Sequence, residues 1–198
     1  MASLLLDYPD EHLLDQVPLL HDAVRRLPVE QAEPLRRFLD HVLTTPVLEL
    51  AATFTATFDH QRRCCLYLTY YAHGDTRERG MALLRLKKLY RAAGLPMETS
   101  ELPDHLPVML AFAALAPRGH GEALLAEHHP AIELLRLSLL DLGSPYAHVL
   151  DAVAAGLPAL SVTERGEVAR LAREGPPDEA VGLEPYGPPE AMPTGAHA

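Results

Sequence analysis

Apolar residues recur at helical spacing along most of this chain. Leu13, Leu14, Val17, Leu20, Val24 and Leu27 share one face between Asp10 and Pro28, which predicts an amphipathic helix. Pro18 inside that pattern predicts a kink or a split. Leu35, Phe38, Leu39, Val42 and Leu43 predict a second helix, closed by Thr44-Thr45-Pro46. A third follows over 47–58, and a fourth carries 64–71. Gly74 then breaks the chain, and Asp75 with Glu78 has the form of a capping box. The helix it opens runs to Ala93, with an apolar stripe of Ala82, Leu83, Leu86, Leu89 and Tyr90 and stop signals at Gly94 and Pro96. Further helices are expected over 106–115, 122–129, 131–142, 145–155 and 161–174. The last opens on Ser161-Val162-Thr163-Glu164, a complete capping-box pattern. No alternating run is long enough for a sheet. The pattern predicts an all-α, single-domain helical bundle of about 8–10 helices over residues 1–174. Six prolines fall between 176 and 198 among few large apolar residues, so 175–198 is expected to be a disordered tail.

Composition supports that class. The 198 residues are 48% hydrophobic but 6% aromatic, with no Trp, and the dominance of Leu and Ala favours helix on helix. Seventeen basic against 27 acidic residues leave a net charge of −10. That balance argues against a general nucleic-acid binder and suits a basic peptide partner. The two cysteines, Cys64 and Cys65, are adjacent; vicinal cysteines rarely meet disulfide geometry, which suggests a reducing compartment. No positive charge precedes Leu4-Leu5-Leu6, unlike a signal peptide. No apolar run reaches the roughly 18 residues of a membrane span. A cytoplasmic protein without direct membrane insertion is expected.

Candidate chemistry is sparse. Cys64-Cys65 lacks zinc-ligand spacing and reads as buried apolar residues. His120, Glu122, Glu127, His128 and His129 contain no His-Glu-x-x-His and read as a solvated helix end. Asp104-His105 has no nucleophile motif beside it, and Pro103-Asp104 suits a helix start. Arg77, Arg79, Arg85, Lys87, Lys88 and Arg91 concentrate six positive charges. They fit a phosphate site or, more simply, a solvated face. Arg77 and Arg79 stand in a first helical turn, where a cation opposes the helix dipole. That placement implies another use, either a buried carboxylate or a ligand. Tyr67, Tyr70 and Tyr71 at helical spacing suit a core edge or a groove wall.

Two blocks stand out, Gly74-Asp75-Thr76-Arg77-Glu78-Arg79-Gly80 and Glu101-Leu102-Pro103-Asp104-His105-Leu106-Pro107. Together with Leu5-Leu6-Asp7-Tyr8-Pro9-Asp10 and Phe58-Asp59, they resemble the NarJ family of nitrate reductase assembly chaperones, within the TorD-like group, over about residues 4 to 160. The resemblance implies a non-catalytic chaperone with no permanent cofactor and no metal. Its partner would be the N-terminal peptide of the nitrate reductase catalytic (alpha) subunit, held until molybdenum cofactor and an iron–sulfur cluster are inserted. A chaperone for another molybdoenzyme, or a protein gripping molybdopterin phosphate, are the alternatives. For the peptide, Tyr67, Tyr70 and Tyr71 are expected as wall, Leu106, Met109 and Leu110 as floor, and Asp104 as partner of a peptide amine, Lys or Arg. Asp75, Arg77, Arg79, Glu101 and His105 are expected to organise the loops.

Overall fold

In a computed structural model, residues 1–97 and 100–177 are described. They form eleven α-helices, and no strand is found among them. The order is α1 (Ala2–Leu5), α2 (Glu11–Val24), α3 (Val29–Thr44), α4 (Val47–Phe58), a 3-10 turn at Arg62–Cys64, α5 (Leu68–His73), α6 (Arg77–Ala92), α7 (Leu106–Leu115), α8 (His120–Glu127), α9 (His129–Asp141), α10 (Ala147–Ala155) and α11 (Val162–Glu174). The bundle is the all-α architecture expected, with the four-residue α1 beyond the predicted set.

Helix α9 runs through the middle. It packs on α5, α8, α10 and α11, while α10 also packs on α3, and α1 on α7. Ile132, Leu135 and Leu139 of α9 are fully buried, as are Val149 and Leu150 of α10 and Leu39 of α3. Large aromatics fill one end of this core. The Tyr146 ring lies 5.0 Å from Phe38, 5.8 Å from Phe54 and 4.9 Å from Phe58, and Tyr8 meets Phe54 edge-on at 5.6 Å. Such edge and tilted contacts add to area burial.

Several local expectations hold. Asp10 accepts from the Leu13 amide at 2.9 Å and caps α2; the split considered at Pro18 does not occur, since α2 runs through it. Ser161 and Glu164 exchange side-chain and backbone bonds at the start of α11.

Two others are corrected. The stretch 64–71 is not one helix: a 3-10 turn, an extended segment and α5 follow one another. The capping box at Asp75 does not form either. Helix α6 begins at Arg77 after Thr76, with no side-chain cap, because the Asp75 carboxylate is engaged by Arg79 at 3.0 Å.

Gly74 joins α5 to α6 with φ of 55°, a conformation that favours glycine. A Cβ there would also run into the carbonyl of Pro177. The chain beyond α11 therefore returns to the first signature turn. The expected tail lies outside the described residues from position 178 onward.

Candidate functional site

The segment that leads into α5 and the second signature block meet through their backbones. Residues preceding α5 and α7 are extended, which leaves peptide groups open. Each segment satisfies the other: Leu68 donates to the Asp104 carbonyl at 3.0 Å and Leu106 to the Leu66 carbonyl at 2.8 Å. Tyr67 and His105 face each other across this antiparallel bridge.

Side chains then lock the junction. Asp104 is completely buried. Its Oδ2 accepts from the Thr69 hydroxyl at 2.5 Å and from the Thr69 amide at 3.3 Å. The first amides of a helix need acceptors, and the residue before α5, Tyr67, supplies none from its side chain. Asp104 thus caps α5 from a distant part of the chain. Arg79 stands 3.6 Å from the same carboxylate, and its guanidinium lies 5.8 Å from the Tyr67 and Tyr70 ring centres. Of the two uses that the sequence left open for Arg79, a buried carboxylate is the one present. Tyr67 donates to Glu101 at 2.9 Å and its ring lies 5.1 Å from His105. Tyr90, from α6, donates to the Pro103 carbonyl at 2.7 Å.

Protonation follows this burial. Burial and the Glu101 bond push the Tyr67 hydroxyl up to about 12. His105 is lowered by burial, against the pull of Glu101, Asp7 and Asp104. Burial raises Glu101, but the Leu102 amide, Tyr67 hydroxyl and His105 outweigh it and leave that carboxyl lowered. The arrangement keeps His105 neutral and Glu101 ionised near neutral pH.

These positions divide the expected site. Asp104, Leu106, Met109 and Tyr71 are buried, so they present no surface to a peptide. Leu106 and Met109 are core rather than groove floor, because α7 turns that face inward onto the rest of the bundle. Tyr71 faces inward too, and its hydroxyl bonds the Arg63 and Cys65 carbonyls at 3.1 Å and 2.9 Å. Tyr67, Tyr70, Glu101, His105 and Leu110 are half-buried, whereas Asp75 and Arg77 are exposed.

Beside the junction opens a cleft of about 210 Å³. Asp7 and Tyr8 line it from the segment after α1, Phe54 and Phe58 from α4, Asp59 from just after α4, Tyr67 from the extended segment before α5, and Glu101 and His105 from the second signature block. Three of the four sequence blocks that carry the family resemblance meet here, and the block at 74–80 contributes no described residue to the lining. Asp7, Asp59 and Glu101 supply carboxylates, the rings supply apolar walls, and no Lys or Arg among the described residues lines the cleft. A cation with an apolar stem fits that chemistry. Asp7, Tyr8, Phe58 and Asp59 were not expected as site residues. Their signal was membership of the shorter resembling blocks, which no local spacing connects to positions 67 and 101.

A family model described as nitrate reductase delta subunit matches residues 25–152. The chain belongs to the nitrate reductase delta subunit family. One relative in Escherichia coli (strain K12), named nitrate reductase molybdenum cofactor assembly chaperone NarJ, is 34% identical over 154 residues, covering 76% of this chain and 65% of that protein. The match therefore spans just under two thirds of that relative's length. A Bacillus subtilis (strain 168) protein, named probable nitrate reductase molybdenum cofactor assembly chaperone NarJ, is 32% identical over 166 residues, 83% of this chain and 90% of its own. The nitrate reductase-like protein NarX of Mycobacterium tuberculosis (strain ATCC 25618 / H37Rv) is 34% identical over 152 residues, 77% of this chain but 23% of its own. The delta subunit match takes in both signature blocks and Phe58-Asp59, and stops short of Asp7 and Tyr8.

Proposed function

We propose that this member of the delta subunit family is a non-catalytic, cytoplasmic assembly chaperone for nitrate reductase. It binds the N-terminal segment of the catalytic subunit and holds that subunit until molybdenum cofactor and iron–sulfur insertion are complete, before membrane anchoring. The convergence of four separate segments on the acidic, aromatic cleft is the observation that carries this role. An N-terminal segment brings an α-ammonium, and Lys or Arg side chains bring the same charge on a longer stem. Asp7, Asp59 and Glu101 neutralise that cation, and Tyr8 and Tyr67 flank it. Tyr70 and Leu110, which lie outside the cleft's lining, offer further contacts for an apolar helix face, a common mode of peptide capture. The net charge of −10 speeds and orients encounter with a basic segment. Asp104 and Arg79 act beneath the surface, holding the cleft's walls in register. No cofactor is needed for any of these contacts.

Calorimetric titration tests the role with three ligands: the nitrate reductase N-terminal peptide, the corresponding peptide of another molybdoenzyme, and molybdopterin. Saturable binding of the first alone is expected, and its loss in the Asp7→Asn/Asp59→Asn variant. Preference for the second peptide would reassign the client. Binding of molybdopterin alone, lost on charge reversal at Lys87 and Lys88, would overturn the proposed role.

A further inference from the structure

Helix α6 has a face that the bundle leaves open. Successive helical residues turn by about 100°, so Arg77, Met81, Leu84, Lys88 and Arg91 fall on one stripe, about 21 Å long at 1.5 Å per residue. Met81 and Leu84 are 69% and 53% exposed, and all three cations are exposed. Arg77, Lys88 and Arg91 have no carboxylate partner among the described residues, unlike Arg79 on the opposite face and Arg85, which pairs with Glu127. Met81, Leu84 and Lys88 also form one rim of a groove of about 660 Å³, whose far wall includes Ala131 of α9 and Leu171 of α11.

The chain itself arrives at the head of this stripe. After α11 it passes along Tyr70 and Tyr71, and the Pro177 carbonyl presses on Gly74, three residues before Arg77. The next residues are Asp178-Glu179-Ala180-Val181-Gly182-Leu183-Glu184. They place acids at both ends of an apolar stretch, as the stripe places cations at both ends of Met81 and Leu84. Residues 178–198 contain four carboxylates and no Lys or Arg. Seven residues in an extended conformation cover about 22 Å at about 3.1 Å each, the length of the stripe. The starting point, the charge and the reach agree.

We infer that residues 178–184 dock along the Arg77–Arg91 stripe of α6, so that the chain covers one rim of its own groove. Asp178 and Glu179 meet Arg77, Val181 and Leu183 cover Met81 and Leu84, and Glu184 meets Lys88. The tether keeps this segment at high effective concentration, which lets a weak contact be well occupied. This inference stands apart from the acidic cleft, which lies elsewhere on the surface.

The only lysines of the chain are Lys87 and Lys88, which makes the test clean. Lys88 lies on the stripe and Lys87 about 100° around from it. Carbodiimide treatment of the full chain at low salt, followed by peptide mapping, is expected to join Lys88 to Glu184 within one molecule. The Arg77→Glu variant should cut that yield several-fold. A second measurement adds a peptide of residues 176–190 to the chain lacking 178–198, where saturable binding should disappear in Lys88→Glu. Links shared equally by both lysines, links confined to Glu127 or Glu167, links between two chains, or a peptide that fails to bind would each overturn the inference.

Discussion

Arg79 and Arg77 are two residues apart on α6 and lead opposite lives. Arg79 is 17% exposed, bonded to Asp75, beside Asp104 and against two tyrosine rings. Arg77 is exposed and has no carboxylate partner among the described residues. Two helical steps turn a side chain by about 200°, so α6 shows one face to the buried signature junction and the other to solvent. The inner face is structural: Arg79 meets Asp104 and two tyrosine rings at low exposure, although Arg79 Nε and Asp104 Oδ1 have no hydrogen-bond partner among the described residues. The outer face is a reserve of charge with no fixed partner in the bundle. A cluster of basic residues in a sequence is therefore two different things, and only the position of each on the helix separates them.

The sharpest way to break this contrast is at Asp104. Asp104→Ala removes the cap of α5 and leaves Arg79 only the exposed Asp75 carboxylate, and breaking a buried ionic pair costs up to about 3–5 kcal/mol. Thermal or denaturant unfolding should show that loss, while Arg77→Glu should stay within about 0.5 kcal/mol of the parent. Equal effects would mean that the two faces do not differ.

Tyr90→Phe comes next. It leaves the Pro103 carbonyl without its 2.7 Å donor, a loss of about 1–3 kcal/mol for a buried group. Gly74→Ala combines backbone strain of about 1–3 kcal/mol, at φ of 55° and ψ of −148°, with the collision at Pro177. In a chain ending at Glu174 only the strain should remain, so the difference between the two backgrounds measures how firmly residues 175–177 sit on the turn.

The smallest effect is with pH. His105 and His128 are both lowered by burial, so the fold favours their neutral forms. The stability this contributes is present above the ordinary histidine value of about 6.5 and is lost as pH falls through the depressed values. Unfolding temperature should decline from pH 7 to pH 5, less steeply in His128→Gln. A rise over that range would contradict the burial of both rings.

The helices were legible because amphipathic spacing and caps are local. Asp10 and Ser161 cap the helices that their own sequence contexts announce. The failures share a cause. Asp75 and Glu78 fit a capping box, but Arg79 takes the Asp75 carboxylate. Asp104 suits the start of its own helix, yet it caps α5, 35 residues earlier in the chain. Nothing in a spacing pattern reports which distant amide a carboxylate will find. For the same reason Leu106 and Met109 could not be told apart as core or surface: α7 is apolar nearly all round, so periodicity gave it no preferred face. The acidic cleft lay hidden because its carboxylates come from positions 7, 59 and 101. Family resemblance marked those blocks, and only folding brought them together.

The central claim is that the cleft, and not the cationic face of α6, receives the N-terminal segment of the client. Isothermal titration of the nitrate reductase N-terminal peptide into three proteins decides it: the parent, Asp7→Asn/Asp59→Asn, and Arg77→Glu/Lys88→Glu. Losing two charge-assisted contacts of about 1.5–3 kcal/mol each should weaken binding by at least tenfold in the first variant. The second should bind within about threefold of the parent. The opposite order, with the α6 variant impaired and the cleft variant intact, would contradict the account.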